Sequence, residues 1–449
     1  MSQAPGHSGG SLLGDKSLEF YRDPVTFCGR RIKKHGSRVF QARLLNKSTL
    51  FVCSVQGMKE LLCDKSSVFL KDPSDVIHHL YGDNIVTTNG EEACLLRLSL
   101  MHLFSGKAID SCSDYIKRVC ECNLRSLSES VEPQSIYTMF KRLGTELALG
   151  LFLNVDAEES PELHQQITQL ATLHWHGIIS APVNIKVPMW SSGFSTALEA
   201  KEKLLKIIHE RMLCEQNGFL GKLRCAPFPE KSSASQHLLL FISALIPKAL
   251  ASLLTSFTLA LSGPSKECIR SRARRDLEYL THVLLEVQRL WPPFVGGCRI
   301  ANEDTTLGSY KVSKGCIAMY VSHAIHRDPD VFDCPEEFEP GRWSERNAGQ
   351  EDTLCSLGNG QRSCIGSQLN NIILKIACGY LLDNYDWALS PPQQNLEYKW
   401  LPVSRPVMPA TVSYVRHMGR TATSQQDSPD EQQKKKDQAC QGHCNATLL

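Results

Sequence analysis

The 449-residue chain has almost no net charge: 49 Lys and Arg against 47 Asp and Glu leave +2. That balance argues against nucleic acid as an obligatory partner. The amino terminus has no apolar run. Met1 to Leu13 is rich in Ser and Gly, so neither a cleavable signal nor a membrane anchor is expected there. The 18 cysteines lack regular spacing, so mostly reduced, intracellular thiols are expected rather than a secreted disulfide scaffold. No complete quartet of metal ligands occurs. Cys120/Cys122 and Cys440/His443/Cys444 each fall short of a zinc site. At 42% apolar and 21% charged residues, the composition is that of a globular protein with a sizeable core.

The most informative stretch is Leu357 to Gly366, Leu-Gly-Asn-Gly-Gln-Arg-Ser-Cys-Ile-Gly. Gly358 and Gly360 permit a sharp turn. Beyond Cys364, the residues Ile365, Leu369, Ile372, Ile373 and Ile376 fall on one face at helical spacing. Cys364 is therefore expected at the mouth of a buried helix, where the helix dipole and free N–H groups favour a thiolate. A thiolate held out of water suits the proximal position of a heme iron. Arg362, two residues earlier, is placed to pair with a propionate.

Gly360, Arg362, Cys364 and Gly366 resemble the cysteine loop of the cytochrome P-450 (heme-thiolate) family. Leu357 stands where that family usually has Phe. Further motifs follow the family's order. Glu286 and Arg289 share a helix face. With Pro340-Gly341-Arg342-Trp343 they match the family's structural Glu–Arg–Arg cluster. Arg299 matches a propionate ligand on the sheet, and Val295-Gly296-Gly297-Cys298 before it is expected to shape the pocket. Arg97 matches the basic propionate ligand of an earlier helix, but Ala93 replaces its usual upstream partner. His326-Arg327-Asp328-Pro329 resembles a signature with a structural role. From Glu286 to Val415 the similarity is greatest to the retinoic-acid hydroxylase branch, including Pro-Pro-x-x-Gly-Gly-x-Arg from Pro292 to Arg299.

In chain order, an entry helix is expected from Leu18 to Lys34, started by Asp23-Pro24. A hairpin of Val39–Leu45 and Thr49–Val55, turned at Asn46-Lys47, follows. A helix runs from Asn89 to Phe104, and the pattern from Ala108 to Leu153 is helical throughout. Glu158–Ile179 and Phe194–Met212 resemble lid helices, with Leu173, Trp175, Ile178, Ile179, Val187 and Trp190 suited to a greasy substrate or to a core. Leu238 to Leu261 is long enough to span a membrane, but Pro247 and Lys248 in its middle favour the buried distal helix of the family. Family monooxygenases carry an acid–alcohol pair there, where this chain has Leu245, Ile246 and Pro247. Pro247 frees the Ser243 carbonyl and kinks the helix, so Ser243, Ile246 and Pro247 are the distal candidates. Lys248 is expected to point elsewhere. The basic run Arg270, Arg272, Arg274 and Arg275 reads as a solvated face.

The resemblance implies one mainly α domain with a small β region, residues 15–417, between a disordered 1–14 and a disordered polar tail, 418–449. Length alone would suggest two or three domains. Heme b held by Cys364 is the implied cofactor, with Arg97, Arg299, Gly360, Arg362 and Gly366 around it. Glu286, Arg289 and Arg342 are structural. The implied function is a monooxygenase that inserts one atom of O2 into a lipophilic substrate, served by a reductase. The alternatives are an enzyme that uses or rearranges a peroxide, and a catalytically impaired heme- or lipid-binding protein. The expected setting is intracellular, at the endoplasmic reticulum surface or in the cytoplasm. Membrane association stays open.

Overall fold

Asp23 divides the expected entry helix in two. Its backbone is extended (φ −154°, ψ 91°), and its carboxylate accepts from the Val25 and Thr26 amides. Ser17–Arg22 therefore ends there and α1, Pro24–His35, begins, with Asp at the cap and Pro in the first turn as helix starts prefer. In this computed structural model the described residues are 2–6, 14–71, 75–129, 135–180, 186–187, 190–215, 217–226, 228, 231–344 and 350–417. Pro188, Met189, the Cys440/His443/Cys444 group, the Asn445 sequon and the tail from residue 418 lie outside them.

β1, Val39–Leu44, and β2, Lys47–Val52, pair antiparallel. The turn is Leu45-Asn46, one residue earlier than the sequence suggests. Both residues have positive φ, 46° and 60°, the backbone that suits a two-residue hairpin. Asp15 accepts from the Asn46 amide and Arg43 donates to the Asn46 side chain. Three later strands are β3, Phe69–Lys71, β4, Gly296–Ala301, and β5, Ile317–Val321. They complete a sheet of order β1-β2-β5-β4-β3, in which β2 and β5 run parallel with Thr49 opposite Ile317. Lys71 of β3 lies opposite Arg299 of β4.

The helical part holds α2, Asp75–Tyr81, α3, Gly90–Met101, α4, Ser113–Leu124, α5, Ile136–Leu153, α6, Pro161–His176, and α7, Gly193–Cys214. Ala108 to Leu153 is thus not one helix: turns at 125–129 separate α4 from α5. The long apolar run forms a rod of α8, Lys231–Leu240, a wide turn, Phe241–Leu245, and α9, Ile246–Ala260. The window of this rod apolar enough to cross a membrane is 94% buried inside the protein. A Cβ on Gly144 of α5 would lie 3.0 Å from the Pro247 carbonyl oxygen, so glycine lets α5 approach the kinked rod.

α10, Glu267–Arg275, precedes α11, Leu277–Leu290, and α12 is Ser367–Asn384. Arg270 is not solvated as expected. It is buried, donates to the Leu261 and Gly263 carbonyls, and pairs with Glu267 and Asp386. The carbonyls freed at the end of α9 are what hold it.

On α11, Glu286 and Arg289 are both fully buried and meet at 2.8 Å. The Glu286 carboxylate also accepts from Arg342 Nε, Trp343 Nε1 and the Glu339 amide. Arg289 donates onward to the carbonyls of His326, Pro335 and Glu337. His326 is pushed down to about 3, mainly by burial. As a neutral ring its Nδ1–H donates to the Arg289 carbonyl, while Nε2 accepts from the Cys355 amide. Asp328 accepts from the Val55 amide and pairs with Arg38. This web ties α11, the sheet and the segment before Cys364 together. Glu286→Ala strands two guanidiniums in the interior, so it should cost on the order of 3–5 kcal/mol, read from the urea unfolding midpoint.

Candidate active site

Between the α8–α9 rod, the start of β4 and the loop before α12 lies a cavity of about 550 Å³. Among its described residues the rod contributes Leu240, Phe241, Ile246, Ala249 and Leu250. Phe294, Gly296, Gly297 and Cys298 form the side at β4. The floor is Leu357, Gly358 and the run Arg362–Gly366.

The loop is built by short backbone hydrogen bonds. The Cys364 amide donates to the Leu357 carbonyl at 2.8 Å, and Ser363 to Gly360 at 3.0 Å. Gly358 and Gly360 take φ of 75° and 66°, values that favour glycine. Gly360 does not line the cavity as expected of a cofactor residue. It packs against the opposite side, where a Cβ would lie 2.3 Å from the Leu62 carbonyl oxygen. Gly366 does line the cavity.

Cys364 is exposed, and its open surface faces the cavity. Removal from bulk water raises its thiol above the ordinary value. The Gly366 amide, Arg97 and Lys71 pull the other way without prevailing. The helix-end effect expected to favour a thiolate is present in the Gly366 amide, but removal from water outweighs it.

Four cations converge on the cavity: Lys71, Arg97, Arg299 and Arg362. Among the described residues no carboxylate pairs with any of them. Burial, then Arg362, Arg299 and Arg97, push Lys71 down to about 7. Burial and the same two arginine neighbours also lower Arg362. Arg97 reaches Ser363 Oγ at 3.4 Å, Arg299 donates to the Cys298 carbonyl, and Arg362 donates to the Ile85 and Thr88 carbonyls. Sequence reasoning passed over Lys71. Its only signal was a short strand ending in lysine, since its partner Arg299 is remote in the chain.

On the distal side one candidate of three faces the cavity. Ile246 lines it, whereas Ser243 and Pro247 do not. The Ser243 hydroxyl is turned to the Leu239 carbonyl, His174 Nδ1 and Tyr81. Pro247 packs on Gly144. Lys248 lies off the cavity, as expected, and its Nζ donates to the Ser243 carbonyl. No residue of α6 or α7 lines the cavity, and Trp175 lies over Lys248.

A family model described as "Cytochrome P450" matches residues 235–411. Beta-amyrin 11-oxidase of Glycyrrhiza uralensis is 25% identical to the chain, covering 90% of it and 88% of its own length. Cytochrome P450 26B1 of Danio rerio is 25% identical, covering 83% and 78%. The solved structure of retinoic acid bound cyanobacterial CYP120A1 superposes with a TM-score of 0.81 at 25% identity, covering 93% of this chain and 100% of that one.

The glycines of the loop separate by test. Gly360→Ala meets the Leu62 carbonyl at positive φ and should cost about 1–3 kcal/mol. Gly366→Ala, whose nearest new neighbours lie 3.8 Å away, should stay within about 0.5 kcal/mol. Urea unfolding of the two variants checks this order.

Proposed function

The chain belongs to the cytochrome P450 superfamily and is a heme-thiolate monooxygenase, and from that premise we propose that Cys364 carries the iron, that Lys71, Arg97, Arg299 and Arg362 hold the propionates, and that the substrate is lipophilic. The observation that carries this reading is the meeting, in one apolar slot, of a thiol and four cations that lack an acid.

The residues present fit heme b. Two carboxylates answer the four cations, and hydrocarbon from Leu357, Ile365, Phe104 and Leu369 suits a flat ring. The Asn370 amide nitrogen on the same wall is buried without a partner. When bound, the heme supplies the activation of dioxygen and the delivery of one oxygen atom to the substrate.

The protein's own groups do the rest. Cys364 would hold the iron as its thiolate, and the walls that raise its thiol would keep bulk water from the sulfur. Arg97 and Lys71 offset the charge left there. Phe241, Ile246, Ala249, Leu250 and Phe294 offer hydrocarbon, so a substrate is held by apolar burial, at about 25 cal/mol per Å². An electron-donating reductase completes the cycle. A second reading, in which a peroxide is the oxygen donor, is supported by Ile246: among the described residues of the rod, none that lines the cavity carries an acid or a hydroxyl.

Turnover with reductase and NADPH, compared with peroxide alone, decides between the two. The monooxygenase reading expects product only with the reductase. Cys364→Ser should lose the thiolate–carbonyl absorbance of the reduced protein; a retained band would refute that ligand. Lys71→Met should pass its heme to a scavenger protein about 10 to 100 times faster, the effect of one charge-assisted hydrogen bond.

A further inference from the structure

Lys248 is hard to explain by packing. It is 4% exposed, and among the described residues its amine meets the Ser243 carbonyl and the Trp175 ring, whose centre lies 5.0 Å from Nζ. Burial, then Lys141 on α5, push it down to about 7. Burying an amine here costs stability that a methionine of similar length would not. A residue kept at such a cost is a candidate for function.

The local geometry shows what the amine does. Pro247 has no N–H, so the carbonyl four residues back, that of Ser243, loses its helical donor. Long helical side chains lean toward the helix start. The Lys248 chain does so, and its Nζ donates to that carbonyl. Phe241 and Ile246, at the two ends of the wide turn, both face the cavity.

We propose that Lys248 is a positioning residue of the distal wall. Its Nζ replaces the N–H that Pro247 lacks, holds the Phe241–Leu245 turn in its wide form, and thereby sets Phe241 and Ile246 over the chamber. This rests on the reading of the cavity as the heme and substrate chamber.

The groups that face the amine are Lys141 from α5, Trp175 and His174 from α6, and Ser243 on its own rod. His174 stays neutral above about 4, lowered mainly by burial. Near pH 7 the titrating group of this cluster is therefore Lys248. Its value in the fold lies below the 10.5 of free lysine. The folded chain then binds fewer protons than the unfolded one from about pH 7 to 10.5, and stability rises with pH across that window. Lys248→Met removes this cost, so its gain in Tm should be largest at pH 6 and smallest at pH 10. The variant should thus fold.

Two measurements test the proposal. Amide hydrogen exchange over 241–246 should be roughly tenfold or more faster in Lys248→Met, the loss of one buried hydrogen bond, and Pro247→Ala added to it should restore protection by supplying the missing N–H. In the reduced carbon monoxide complex, the C–O stretching frequency should shift with a midpoint near pH 7 in the parent and stay flat in Lys248→Met. Unchanged exchange, or the same pH profile in both proteins, overturns the proposal. If no thiolate–carbonyl complex forms, the heme reading fails, and exchange still judges Lys248 by itself.

Discussion

One carboxylate, that of Glu286, holds the proximal half of the molecule in place. It takes both guanidiniums of Arg289 and Arg342, the Trp343 indole and a backbone amide. Such a group has no neutral alternative in the interior, because each donor it serves would otherwise lie unpaired. Through Arg289 the same charge fixes three carbonyls, and through His326 it reaches the Cys355 amide. The Cys364 loop hangs from that point: Gly358 donates to the Cys355 carbonyl, and Cys364 to Leu357. The position of the Cys364 sulfur is thus set by electrostatics some way from it.

The cavity divides its chemistry between two sides. The rim near β3, β4 and the loop carries positive charge, while the rod offers hydrocarbon. A tetrapyrrole with two acidic arms answers the charge of the first side, and the proposed lipophilic substrate would meet the second. The cytochrome P450 fold supplies this arrangement. In this chain the Ser243 hydroxyl and the Lys248 amine of the distal rod are both spent on partners away from the chamber.

Local patterns made much of this legible beforehand. The glycine spacing around Cys364, the Glu-x-x-Arg step and the mainly helical periodicity are all short-range signals. What escaped was either long-range or a matter of phase. Lys71 matters because strand pairing sets it opposite Arg299, a contact that no window of sequence contains. Ser243 and Pro247 were misplaced because the wide turn inserts an extra residue. One residue is about 100° of helix rotation, enough to move a hydroxyl from the chamber to its back. Arg270 was read as solvated because a run of arginines looks alike from outside, and only the end of α9 shows which carbonyls need one of them. The helix start was expected to favour a thiolate at Cys364, since the sequence reveals that start and hides how far the cavity stands from bulk water.

The convergence of Lys71, Arg97, Arg299 and Arg362 bears on biosynthesis. A polypeptide that closes before capturing its tetrapyrrole must press four positive charges together against their mutual repulsion. Closure of this rim and capture of an anionic pigment therefore favour each other.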